Sequence, residues 1–443
     1  MKKLLTLFVL CSSILVSAQA IPVRVVQSDH GFTLMRGGEP YYIRGAGGHD
    51  NLDELLVLGG NSIRTWSAED AGEILDAAEA HGLTVMFGLW VQHERHGFNY
   101  NDETAVQAQL DHFREIVTTY KDHPALLLWG VGNEVDLFYS NTKVWDAVQD
   151  IAAMIHEVDP NHPTSTVTAG IDSTEIYLIK TRAPDIDIFA CNTYGDLYKT
   201  PSNIIKYGWE GPFIIAEWGP NGHWEVEKTE WGAPIEQTST EKAESYGSRY
   251  GNYIASYRDQ CIGSYVFLWG QKQETTSTWY GLFTEGGNPT EPLDRLYAAW
   301  QGEEPMNAAP SIASLTLDNR TASNSIYLKA EDVYEAAVVF SDDRNDVDVD
   351  WFVYSESTAQ SAGGDFEDAI PPVLGLFSRR GDNSARFRAP EEEGAYRLYV
   401  FITDDAGKVA YANIPFYVNP RLESDPPARS IRLKPQSLDI PAP

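Results

Sequence analysis

"ALLLWGVGNEVD", residues 125–136, carries the reading of this chain. From Ala125 to Val131 it is apolar apart from one glycine; Asn133, Glu134 and Asp136 then follow in quick succession. An apolar run without alternation is the pattern of a strand buried on both faces, as in parallel sheets. A carboxylate at the tip of such a strand is costly to desolvate unless it is paired or used. The stretch therefore poses two questions: whether the run repeats, and what its terminal acid does.

The run repeats. "YYIRGAG" (from Tyr41), "NSIRTW" (Asn61), "LTVMFGLW" (Leu83), the quoted stretch, "TSTVTAG" (Thr164), "DIFACNTY" (Asp187), "PFIIAEWG" (Pro212) and "GSYVFLWG" (Gly263) make eight. Between them lie amphipathic stretches such as "AEDAGEILDAAEAHG", which the sequence opens after a Ser67 cap and closes at Gly82. Eight strand–helix units in the segment 21–302 predict a (β/α)8 TIM barrel. A doubly wound open sheet is the competing arrangement, but no glycine-rich phosphate loop follows the first strand. "FTLMRGGEP", before that strand, reads as a hairpin closing the barrel floor. Residues 303–310 read as a Pro-bearing linker. Seven short alternating strands over 311–419 predict an immunoglobulin-like β-sandwich, and the Pro- and Ser-rich 420–443 a flexible tail.

Composition narrows the partners. The formal net charge is −31, which repels nucleic acid and anionic membrane surfaces at long range. Twelve Trp and 23 Tyr leave aromatic side chains for a carbohydrate surface as well as a core. Residues 1–20 carry Lys2 and Lys3, an apolar stretch and Ala18-Gln-Ala20, the pattern of a signal peptide cleaved after Ala20, and so of a secreted or periplasmic protein without membrane insertion. Cys191 and Cys261 are too few for a disulfide framework and read as buried thiols. Nothing in the sequence calls for a cofactor, and oligomeric state is unreadable from it.

In a TIM barrel the chemistry sits at the carboxyl ends of the strands. The residues ending the runs are Arg64 and Trp66, Trp90 and His93, Asn133 and Glu134, Asn192 and Tyr194, Glu217 and Trp218, then Trp269 and Gln271. Glu134 and Glu217 end the fourth and seventh runs, 83 residues apart and across the mouth from each other. Two facing carboxyl groups about 5 Å apart are what glycosidic cleavage with retention requires. Arg64 and Tyr194 suit an ionised nucleophile at Glu217. The charge of Glu217 and the apolar wall of the fourth strand suit a protonated acid at Glu134. Asn133 is placed for a sugar 2-hydroxyl, and Trp269 for an apolar floor beneath a pyranose.

"GNE" after the fourth run and "AEWG" after the seventh resemble the retaining (β/α)8 glycoside hydrolases, the superfamily that includes families 2, 5 and 72. The resemblance covers residues 21–300. It implies that Glu134 is the acid/base and Glu217 the nucleophile, and that Arg64, Tyr194 and Trp269 are the matching Arg, Tyr and Trp of that group. The sandwich domains preceding the barrel in many family 2 enzymes have no counterpart in the short stretch before Tyr41. The family 72 signatures are close but not identical, so hydrolysis of a neutral β-glucan and glucanosyl transfer both stay open, beside a non-catalytic carbohydrate-binding protein.

Trp66, Trp90, Trp218 and Trp224 serve packing or sugar stacking equally well. His93, Glu94 and His96 lack the spacing of a helical zinc motif, so no metal is expected, and His93 suits a hydrogen bond to the rim or to a sugar. His49, Asp50, Asn221, His223 and Glu225 fall on loops at the mouth, and Asp136 is a rim acid without a clear task. The aromatics Trp351, Phe352, Tyr354, Tyr396 and Tyr399 mostly follow strand period and suit the sandwich core.

Overall fold

A computed structural model of the chain describes residues 19–343, 346–359 and 362–422. The expected leader (1–20) and tail (420–443) lie outside the described residues, apart from 19–20 and 420–422.

The chain opens with an antiparallel sheet of β1 (Val23–Ser28), β2 (Gly31–Arg36) and β3 (Glu39–Tyr41). Val23 and Leu34 join the apolar cluster inside the barrel, and Arg36 donates to the Pro124 carbonyl at 2.8 Å, just ahead of a barrel strand. This sheet closes the floor, one strand larger than the hairpin expected.

Eight parallel strands follow: β4 (Ile43–Gly47), β5 (Ser62–Arg64), β6 (Thr84–Leu89), β7 (Leu126–Asn133), β8 (Thr164–Ala169), β9 (Ile188–Asn192), β10 (Phe213–Trp218) and β11 (Cys261–Val266). They pair in chain order, and β11 returns to β4 to close the barrel. Each corresponds to one of the eight apolar runs. Every residue of β6, β7, β10 and β11 is buried, the double-faced burial that their lack of alternation required. Tyr265 fills the axis beside Gly45, where a Cβ would lie 2.2 Å from its ring.

The outer layer contains α1 (Leu52–Val57), α2 (Ala71–Ala80), α3 (Glu103–Tyr120), α4 (Lys143–Val158), α5 (Ser173–Arg182), α6 (Thr200–Lys206), α7 (Ser239–Arg249) and α8 (Pro292–Gln301). Helix α2 starts at Ala71, not after Ser67. The Ser67 hydroxyl accepts only the Glu69 N–H, at 3.4 Å, and shapes a bend before Asp70, whose φ of 51° precedes the first turn. Cys191 and Cys261 are free and buried.

The C-terminal region is a β-sandwich of two four-stranded sheets. One holds β12 (Ser311–Leu317), β14 (Val333–Ser341), β17 (Ser384–Arg388) and β16 (Phe377–Arg380); the other holds β13 (Ile326–Leu328), β19 (Val409–Val418), β18 (Gly394–Asp404) and β15 (Val347–Ser355). Seven of these strands match those expected. The eighth, β16, is an edge strand whose "FSRR" is mostly exposed and shows no apolar alternation. Trp351 and Tyr396 lie in the core between the sheets. The other face of β18 and β19 is buried too, because it packs on the barrel. There Lys242 of α7 donates to Glu236 at 2.6 Å and to the Tyr411 hydroxyl at 3.2 Å. Asn413 donates to Glu236 at 2.6 Å, and Arg397 reaches the Pro234 carbonyl at 2.9 Å. Tyr399 is buried on this same face, not in the sandwich core.

Candidate active site

The carboxyl ends of the barrel strands open into a pocket of about 860 Å³ that holds both Glu134 and Glu217. Glu217, on β10, is almost fully buried, and three donors converge on its carboxylate. Arg64 from β5 donates to Oε1 at 2.8 Å, Trp66 Nε1 donates to the same oxygen at 2.8 Å, and the Tyr194 hydroxyl donates to Oε2 at 2.9 Å. Burial above all, then the charge of Glu217, holds the Tyr194 phenol far above its ordinary range, so it stays a donor. A cation and two neutral donors around one buried carboxyl form a shell built for an anion.

Glu134 has a different shell. Asn192 of β9 donates to its Oε1 at 2.7 Å, and its Oε2 faces the open pocket. Burial, reinforced by the charge of Glu217, raises its carboxyl well above the usual range. Asn133 ties the two halves together: its Oδ1 accepts from Arg64 at 2.6 Å and from Asn192 at 3.1 Å. The backbone aims the acid. Glu134 has φ 51°, in the left-handed region, where strain costs on the order of 1–3 kcal/mol. Gly132 has φ 79°, and a Cβ there would meet Val135 at 2.9 Å. The "GVGNE" ending is thus a strand that breaks its own regularity to turn one carboxyl into the pocket.

The remaining expected residues divide. Trp66 and Trp90 line the pocket, together with Trp224, His223 and Glu225. His93 does not; it is buried, its Nε2 pairs with the Asn133 carbonyl at 2.7 Å, and its ring stacks on Trp90. Burial first, then the neighbouring Arg95, lowers its pKa to about 4, so it holds the end of β7 as a neutral ring. Glu94 is engaged by Ser140 and Asn141. Asp136 gains a task, clamping β8 by accepting the Ala169 N–H at 3.0 Å.

Two tryptophans are corrected. Trp218 is fully buried against Tyr246 and Tyr250, because strand pleating turns it outward when Glu217 points inward. Trp269 is no floor either: its indole donates to the Asp50 carbonyl at 2.7 Å and its ring packs edge-on against Phe283. Phe267 and Leu268 supply the apolar surface there. Sequence reasoning missed Asn192 as the partner of Glu134, although its place at a strand tip was the available signal. It also missed Lys272, Glu274 and residues 362–364 of the sandwich, which line the pocket without any motif to mark them.

Residues 55–275 match the family model described as glycosyl hydrolases family 2, TIM barrel domain. The β-glucuronidase of Paenibacillus borealis is 24% identical over 328 residues, covering 64% of this chain and 53% of its own. That of Felis catus is 26% identical over 195 residues, covering 39% and 28%. This chain therefore spans about half the length of the first of these relatives and less of the second. Among solved structures, a Dictyoglomus thermophilum β-D-glucuronidase superposes with a TM-score of 0.50 at 18% identity, covering 64% of this chain and 54% of that one. It shows a shared fold.

Proposed function

We propose that the protein, whose residues 55–275 match the glycosyl hydrolases family 2 TIM barrel domain, is an exported retaining glycosidase acting on a neutral β-linked sugar, a β-glucan being the preferred class. The observation that carries this is the contrast between the two carboxyl groups. Glu217 is held by Arg64, Trp66 and Tyr194, whereas burial and Glu217 favour the protonated form of Glu134.

In the first step a Glu217 oxygen bonds to the anomeric carbon. Glu134 gives its proton to the departing glycosidic oxygen as that bond breaks. In the second step Glu134, now a carboxylate, takes a proton from water, and the water oxygen displaces Glu217 with net retention. Asn133, which lines the pocket beside Glu134, is the residue this reading assigns to the sugar 2-hydroxyl. Another sugar in place of water gives transglycosylation by the same residues.

Neutrality of the substrate rests on charge. Among the described residues, eight Asp and Glu side chains line the pocket, Glu134 in its protonated form and the rest acidic, against one lysine, Lys272, whose ammonium is 2.7 Å from Glu274. A glucuronide, the substrate class named for the relatives, would bring another carboxylate into this field without a free cation. The test compares aryl β-glucoside with aryl β-glucuronide, alongside β-linked glucose oligosaccharides, using Glu217→Gln as the control. Turnover of the neutral sugars alone is expected. Faster cleavage of the glucuronide would reverse the substrate assignment, and oligosaccharides longer than the input would mark a transglycosylase.

A further inference from the structure

A segment of the sandwich reaches into the barrel's pocket. Residues 362–367 leave the loop between β15 and β16 and are clasped from the barrel side. Arg95 pairs with Asp365 at 2.9 Å and donates to the Ala362 carbonyl at 3.2 Å. His96 lies 3.3 Å from Asp365, Lys272 donates to the Gly364 carbonyl at 3.1 Å, and the Thr275 N–H donates to Glu367 at 3.0 Å.

The closest approach is made by backbone. A Cβ on Gly363 would lie 2.6 Å from Leu137 and 3.3 Å from Glu134 Oε2, and its φ is +61°. Oε2 is the oxygen left open to the pocket, since Oε1 takes the Asn192 amide. An acid that protonates the departing oxygen must have the leaving group beside that open oxygen. The segment therefore stands on the leaving-group side. Behind it lies a second cleft of about 490 Å³, where Gln271, Gln273, Tyr354 and an 86% exposed Phe366 offer amide and aromatic surface of the kind that suits sugars. Lys272 and Gly364 line both hollows.

Resting on the glycosidase reading above, we propose that residues 362–367 are a partition that sets how many sugar units the leaving-group side accepts. With the partition clasped, the pocket takes short leaving groups. With it released, the two hollows join into one trench, and longer chains are held across Glu134.

The variant that tests this is Asp365→Ala, which unties Arg95 and His96 at a partly exposed position. The readout is the ratio of kcat/KM for a β-linked glucose pentasaccharide to that for the disaccharide. The ratio rises by about tenfold, the size of discrimination one steric contact provides. An unchanged ratio in an active enzyme overturns the partition and leaves the glycosidase reading intact. Calorimetric binding of the same two sugars, with and without Asp365→Ala in the Glu217→Gln background, repeats the comparison without turnover. If no glycoside is cleaved yet Asp365→Ala still favours the longer sugar, the partition stands and the catalytic reading falls. If binding is equally length-blind in both proteins, the partition is overturned on this measure as well.

Discussion

Replacing Glu134 by alanine separates the two carboxyl roles. In the proposed mechanism the variant removes the proton donor, and it leaves Glu217 with Arg64, Trp66 and Tyr194 in place. A positioned general acid contributes about 10²–10⁴-fold, most when the departing oxygen is a poor leaving group. Glu134 is half-buried with one amide donor, an arrangement that favours the proton it would deliver, so the upper part of that range applies. For a natural oligosaccharide kcat/KM falls by about 10³-fold or more, whereas an aryl glycoside with an acidic phenol, which departs unaided, loses about tenfold or less in the glycosylation step. The alkaline limb of the wild-type pH profile reports loss of the Glu134 proton, lies above the ordinary carboxylate range, and vanishes in the variant. Azide, small enough for the space left by the carboxyl, adds to the glycosyl-enzyme and yields the β-glycosyl azide, identified by its anomeric NMR coupling. Equal losses for both leaving groups, or an α-azide, would refute the assignment and shift the acid role toward Glu217.

Glu134→Gln changes the pH dependence of stability. The native carboxyl of Glu134 is raised above its unfolded value, so the native state binds more protons than the unfolded chain between the two. Its contribution is complete below the unfolded pKa, near 4.3, and is lost as pH rises through the raised native value. The stability difference, variant minus wild type, therefore grows across that window, as denaturant titrations at a series of pH values read directly; a flat difference contradicts the shift. Lys242→Ala leaves Glu236 charged and buried beside Asn413, and costs about 3–5 kcal/mol. Calorimetry should find a single transition moved to lower temperature; loss of the sandwich alone, with the barrel melting as before, would contradict the shared interface.

Much of the barrel was legible because burial on both faces leaves uninterrupted apolar runs, and each run ended close to the structural strand. Arg64, Asn133, Glu134, Tyr194 and Glu217 were legible for a related reason: a polar residue ending such a run has only the mouth to face. Trp269 was misread, and Trp218 was left between packing and stacking, because sequence gives no orientation. Pleating sends one residue of a neighbouring pair inward and the next outward, and both indoles lie outside the pocket. The start of α2 was misread because Ser67 serves a bend before the helix. Residues 362–367 were illegible altogether. Their role comes from docking between distant parts of the chain, and a pair of glycines in a loop carries no mark of what they will lie against.

The way β18 and β19 pack bears on how this protein can be recombined. Arg397, Tyr399, Tyr411 and Asn413 point away from the sandwich core and are buried against the barrel, around Glu236 and Lys242. The barrel has no finished outer skin on that flank; a remote stretch of the same chain supplies it. A splice placed in the 303–310 linker looks harmless on paper, yet it would strip that covering and leave an ion pair open to water on one fragment and a raw aromatic face on the other. The exchangeable unit is therefore barrel and sandwich together, and a graft that carries Glu134 and Glu217 must carry Tyr411 and Asn413 with them.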